Sequence, residues 1–228
     1  MTENNLFTPI TIGELSLSHR VVMAPLTRMR ATVPGNVPNE MMAQYYGQRA
    51  SAGGLIIAEA SQVSEDGRGA PCTPGSHSPE QIAGWKLITN AVHAKDGKIF
   101  LQLWHMGRLS HQSHQPDGKL PIAPSPIAAN TEVMTTEFER VPCPTPRALE
   151  TEEIPDLIER YVHAARSAME AGFDGVEIHA ANGYLLEQFL QTRTNQRTDA
   201  YGGSIDNRCR LVLEITEAIA AVWRANRV

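Results

Sequence analysis

Four short apolar segments, at residues 21–25, 54–60, 99–104 and 175–179, alternate along the chain with stretches of helical periodicity. Each is rich in β-branched residues or almost continuously apolar, as a strand must be when both faces of its sheet are covered. Strands of this kind separated by helices imply a parallel sheet with right-handed crossovers. The helices show themselves through their ends and their stripes. Ser78-Pro79-Glu80-Gln81 combines an N-cap serine, a proline at the first helical position and a capping-box glutamine. Ile82, Trp85, Ile88 and Val92 follow at helical spacing, and Gly97 is the predicted stop. Further on, acidic Glu152 and Glu153 suit the positive end of a helix. There Ile154, Leu157, Ile158, Tyr161, Val162, Ala165 and Met169 line one face before Gly172. A helix is also predicted over 204–224, with Leu211, Ile215, Ile219 and Val222 on one side, and a shorter one over 39–50.

Strand centres near residues 22, 57, 101 and 177 lie about 35, 44 and 76 positions apart, and the first two spacings suit single β/α units of a barrel. The third is too long. Its excess, residues 105–150, holds seven of the chain's 15 prolines and is predicted to be an inserted loop or small hairpin subdomain, acting as a lid or binding loop.

Composition narrows the function classes. A formal charge of −5 with scattered Lys and Arg offers no phosphate-tracking surface, so no nucleic-acid partner is expected. The longest apolar runs, such as Leu55-Ile56-Ile57-Ala58, fall far short of the roughly 20 residues of a membrane span. The start, Met1-Thr2-Glu3-Asn4-Asn5, carries no basic and apolar regions of a signal peptide, and the expected location is cytoplasmic. Cys72, Cys143 and Cys209 form no C-x-x-C pair and are read as ordinary reduced thiols. No metal site is expected. His105, His111 and His114 lie close together but lack zinc-ligand spacing, and are read as solvated loop histidines.

The polar residues sit where chemistry would need them. Thr27 follows the first strand, Gln102 and Trp104 come late on the third, and His179 closes the fourth. In a β/α barrel such strand ends surround one pocket. His179 and Asn182 bracket a short turn and can present N–H donors to one oxygen, stabilising charge that develops there, while the Tyr184 hydroxyl can deliver a proton to a strongly basic carbon or enolate. Glu59 and Glu177 could be imagined as the carboxylate pair of a glycoside hydrolase, but strand-end carboxylates are more often structural acceptors. Gly202-Gly203 reads as a turn before a helix, and no G-x-G-x-x-G or P-loop is present.

Four pieces in order resemble the old yellow enzyme family of FMN-dependent ene-reductases, in particular its bacterial N-ethylmaleimide and nitrate-ester reductase branch. They are the runs at residues 20–28 (RVVMAPLTR), 101–108 (LQLWHMGR) and 179–186 (HAANGYLL), and the run at 195–204 (NQRTDAYGGS) with Asn207-Arg208 after it. The resemblance implies an FMN over the mouth of a TIM barrel. Pro25, Leu26 and Thr27 would meet it, Thr27 bonding its carbonyl edge, Ala58 would touch the ring and Gln102 would read the pyrimidine edge. His179 would lie close to both flavin and substrate, and Trp104 would wall the substrate cavity with Asn182 and Tyr184. It implies hydride passing from NAD(P)H through flavin to the β-carbon of an enone, maleimide or nitroalkene. His179 and Asn182 would hold the activating oxygen, and Tyr184 would act as proton donor.

Two departures from the family pattern stand out. Gly69-Ala70 occupies a place where close relatives often carry a tyrosine after the glycine, so selectivity is expected to differ. The family's fifth strand, with an arginine for the flavin, and its later phosphate-binding strands have no counterpart in these 228 residues. The expected fold is therefore α/β, a (β/α)8 TIM-barrel type with only the first four β/α units present. This half barrel forms a single domain over 1–228, with 105–150 inserted after strand 3. An alternative reading is a catalytically silent half barrel serving as a binding or assembly module, closing its open sheet edges as a homo-oligomer.

Overall fold

The structure is a computed structural model and describes residues 5–228. A hairpin of β1 (Ile10–Ile12) and β2 (Leu15–Leu17) precedes β3 (Val22–Met23), α1 (Glu40–Arg49), β4 (Leu55–Ile57) and β5 (Ser61–Gln62). Then come α2 (Pro79–His93), β6 (Lys98–Trp104), β7 (Ile122–Ala123), β8 (Glu132–Met134), β9 (Arg140–Pro142) and β10 (Arg147–Ala148). The chain continues through α3 (Ile154–Glu170), β11 (Gly175–Ile178), α4 (Leu185–Leu190) and α5 (Ile205–Trp223).

The central sheet runs β3-β4-β6-β11, all parallel, and β5 pairs with the end of β6 after the chain leaves β4. The four apolar segments thus form the sheet expected of them, with shorter strands at the first two. Side chains alternate across β6. Ile99, Leu101 and Leu103 are fully buried against the helical layer, where Trp85, Ile88, Leu157, Tyr161 and Leu211 also lie. Phe100 faces the other way and packs with Leu55, Ile57, Leu15 and Leu17, so the β1–β2 hairpin covers part of the inner face. Beside it, Phe100, Val176 and Ile178 of the sheet and Val212 of α5 line an apolar trough of about 480 Å³.

The helix signals act as read. Ser78 and Gln81 form both halves of the capping box on α2, and Asn39 and Ser204 accept from the N–H groups of Met42 and Asn207. α2 ends at His93 with Ala94 as its C-cap, short of Gly97. α3 starts after a short 3-10 turn over Thr151–Glu153. α4, a six-residue helix, was not foreseen: it is too short for periodicity to reveal.

Within 105–150, β8 and β9 form an antiparallel hairpin, and β7 and β10 pair in parallel where the segment leaves and rejoins the body. Arg197 fastens this junction. Its guanidinium donates to the carbonyls of Leu149 and Pro124 and to Thr151 Oγ1, and pairs with Asp199 at 2.5 Å. That partner holds the Asp199 carboxyl at about 2. Gly202 must be glycine here, because a Cβ would stand 2.2 Å from the Arg197 carbonyl oxygen.

The reading of the loop histidines is corrected. His105 and His114 are 1% and 3% exposed. His114 Nε2 lies 2.6 Å from the Met134 carbonyl. His105 Nδ1 accepts the Gly107 N–H at 3.1 Å, and its Nε2 faces Asp66, which is itself paired with Arg160. Proximity to the core, invisible in a loop-like sequence, drew both rings in. Burial pushes the His105 imidazole down to about 4, against about 6.5 for an unfolded chain. Between these values the unfolded state takes up a proton that the native state refuses, so stability falls as pH drops through this window, by about 3 kcal/mol in all. Denaturant titrations from about pH 7 to about pH 4 check this: wild type should lose that much more stability than His105→Gln.

Candidate active site

The register of β6 against β11 sets the site. Glu177 lies directly opposite Gln102, both on the inner face, and Gln102 Nε2 donates to Glu177 Oε1 at 2.7 Å. One N–H and the carbonyl oxygen of the Gln102 amide remain for other partners. Beyond the strand ends a cavity of about 410 Å³ is lined by Pro25, Thr27, Ala60, Gln102, Glu177 and the run from Ile178 to Asn182, with Tyr184.

The turn after β11 is shaped by its backbone. Asn182 and Gly183 both take positive φ, 58° and 78°, which reverses the chain between His179 and Tyr184. Glu187 Oε2 accepts the Gly183 N–H at 2.6 Å, and buried Gln188 donates to the carbonyls of Gly183 and Met106 while accepting the Arg108 N–H. The loops after β6 and β11 are thereby tied together. Tyr184 sits edge-on between two rings, 4.9 Å from His179 and 5.2 Å from Trp104 by centroid.

Burial keeps two of the cavity's donors, His179 and Tyr184, uncharged. Burial lowers the His179 imidazole, only partly offset by the nearby Glu187 carboxylate, so the ring is neutral near pH 7. Its Nδ1 accepts the Ala181 N–H at 3.4 Å, which leaves the proton on Nε2 as a donor. Burial raises the Tyr184 hydroxyl, which therefore keeps its proton.

Of the residues singled out from sequence, Pro25, Thr27, Gln102, His179, Asn182 and Tyr184 converge on this cavity. Three do not line it. Leu26 is 49% exposed and its side chain lies outside the lining. Ala58 is buried in the helix-facing core, and Ala60, two residues on, takes its place at the cavity. Trp104 is 2% exposed and packs behind Tyr184 rather than at the wall. Ala60 went unnoticed because the chain breaks from β4 before β5, which shifts the inward position. Glu177 shared an alternation signal with His179, which follows directly on the end of β11, but its partner became evident only from the register. Glu59 and Glu177 do not form a carboxylate pair: Glu59 is buried on Tyr46 and the Arg28 N–H, outside the cavity lining.

The donor set fits a flat heteroaromatic ring with polar edges. Pro25 and Ala60 offer an apolar wall, and Thr27, Gln102 and His179 offer hydroxyl, amide and N–H groups. Among the described residues the lining includes no Lys or Arg for a phosphate.

Residues 5–228 match the model of the NADH:flavin oxidoreductase / NADH oxidase family. The chain belongs to that family. Similar members are 12-oxophytodienoate reductase 7 of Oryza sativa subsp. japonica, 48% identical over 98% of this chain, and flavin oxidoreductase hxnT of Emericella nidulans, 49% identical over 98%. Morphinone reductase in complex with tetrahydroNAD superposes with a TM-score of 0.94 at 53% identity over 99% of the chain. The old yellow enzyme homologue of Zymomonas mobilis does so at 0.93 and 48% over 98%. The old yellow enzyme resemblance seen in sequence is thus a family membership. This family member spans 57% and 58% of the two curated relatives and 63% and 61% of the two solved chains.

The two causes acting on His179 give a test of the site's electrostatics. Glu187→Ala removes the charge that opposes burial, so the His179 midpoint, followed by NMR pH titration, should move further down. An upward or absent movement would remove Glu187 from that role.

Proposed function

We propose that the chain is the cofactor- and substrate-facing part of an FMN-dependent reductase that passes hydride from NAD(P)H to C=C bonds conjugated to a carbonyl or nitro group. The observation that carries the reading is the convergence of Thr27, Gln102, His179, Asn182 and Tyr184 on one cavity in a member of a flavin oxidoreductase family. The relatives' names support the substrate class: reductases of 12-oxophytodienoate and of morphinone. We read the parallel β/α units as the N-terminal half of the family's barrel, consistent with the share of the relatives that the chain spans.

FMN bound here supplies the hydride chemistry. Pro25 and Ala60 would hold the ring's apolar side, while Thr27 and the free atoms of Gln102 would meet its polar edges. The neutral His179 donates from Nε2, and Asn182 donates from its amide, to the oxygen that activates the alkene. As negative charge grows on that oxygen, the two donors stabilise it without a proton leaving the protein. The Tyr184 hydroxyl then gives its proton to the α-carbon. Its raised pKa keeps it protonated until a carbon more basic than phenolate forms.

Uptake of FMN by the purified chain, seen as a yellow colour and a flavin absorption band, is the first expected outcome, and a chain that stays colourless with added FMN sinks the reading. With flavin bound, Tyr184→Phe should slow alkene reduction on the order of 10²-fold while leaving flavin reduction by NAD(P)H near wild type. Stopped-flow measurement of the two half-reactions decides this, and equal slowing of both removes Tyr184 as the proton donor. Asn182→Ala should weaken binding of a phenol or an enone by about tenfold, read from perturbation of the flavin band.

A further inference from the structure

The segment from Ala24 to Arg30 joins β3 to the rest of the chain and carries Pro25 and Thr27, yet it has no regular structure. Among the described residues, its one main-chain N–H with an acceptor in the protein is that of Arg28, which donates to Glu59 Oε2 at 3.1 Å. Glu59 is fully buried. Its other oxygen, Oε1, accepts from the Tyr46 hydroxyl at 3.0 Å, and the same hydroxyl accepts the Glu59 N–H at 2.9 Å. Tyr46 is itself fully buried on α1 and stays protonated as a donor. One carboxyl therefore joins the end of β4, the segment after β3 and helix α1. Asn39, the N-cap of α1, adds a second tie by donating to the Arg30 carbonyl at 2.8 Å.

A buried carboxyl is costly, and this one has no ion-pair partner within 4 Å among the described residues. An apolar residue would fill the same volume at lower cost, but it could not accept from two donors at once. What Glu59 adds is an acceptor for the otherwise unsupported N–H next to Thr27. We propose that Glu59, backed by Tyr46, is a positioning residue that holds the Thr27 hydroxyl at the polar edge of the ring site. The proposal rests on the flavin reading above for the identity of what Thr27 meets. Glu59 does not touch the site itself, since Thr27 and Ala60 line the cavity and Glu59 does not.

The test uses the full chain and two readouts. The first is amide hydrogen exchange at Arg28, with Ile99, fully buried on β6, as the internal standard. The second is the FMN dissociation constant together with the position of the bound flavin's absorption band. In Glu59→Ala, exchange at Arg28 should rise at least about tenfold relative to Ile99, the worth of one hydrogen bond to a charged acceptor. FMN affinity should fall by a similar factor and the band should shift. Glu59→Gln, which keeps a carbonyl oxygen for the Arg28 N–H and is the safer variant for folding, should restore most of the Arg28 protection and most of the affinity. Tyr46→Phe should loosen Arg28 less than Glu59→Ala does.

Exchange at Arg28 that is unchanged, or that rises only in step with Ile99, overturns the tether. Loosening of Arg28 with wild-type FMN affinity and band overturns the positioning role. A wild-type chain that binds no FMN, while Arg28 is loosened in the variant, overturns the flavin reading and the purpose given to the tether together.

Discussion

Strand β6 is the ruler against which the molecule is registered. It pairs with β4, β5 and β11 at once, and its alternation divides the protein into two media. Outward, Ile99, Leu101 and Leu103 enter a dry core shared with α2, α3 and α5. Inward, Phe100 packs on the N-terminal hairpin and Gln102 meets Glu177. A slip of one residue would put Gln102 among the leucines and isoleucines and leave its amide unpaired, so the apolar outer face enforces the polar inner one.

The site is assembled from neutral donors on strand ends and tight turns. Burial keeps the His179 imidazole uncharged and the Tyr184 hydroxyl protonated, and the positive-φ pair at Asn182 and Gly183 brings the turn back toward β11. Around these groups lies a layer of residues that never reach the cavity. Glu187 and Gln188 hold one loop, and Glu59 with Tyr46 holds another. Rigid support of this kind makes a donor effective, because a group already in place does not have to reorganise when charge appears.

Much of this was legible in sequence where a signal was local. The Ser78 capping box, the stripe of α3 and the four apolar strands are short-range patterns, and each produced its element. Convergence of Thr27, Gln102 and His179 followed from strand ends meeting at one rim. The failures share a cause. Ala58 faces the core and Ala60 the cavity because a break between β4 and β5 resets the alternation. Trp104 retreated behind Tyr184, and His105 and His114 went inside, because neighbours far along the chain covered them. Likewise, the hydroxyl of Tyr46 and the carboxyl of Glu59 stand 13 residues apart on different elements, and no periodicity links them.

Arg197 binds the two ends of the 105–150 excursion at one point, through Pro124 on the way out and Leu149 on the way back, while Gln196 donates its N–H to Ser125 Oγ. The excursion is therefore closed on itself before it reaches β8 and β9. Beyond the clasp the hairpin is held a second time, by His114 at the Met134 carbonyl and by Leu109 packed with Val133. A change in the hairpin is therefore felt at two anchors, the Arg197 clasp and the loop that follows β6.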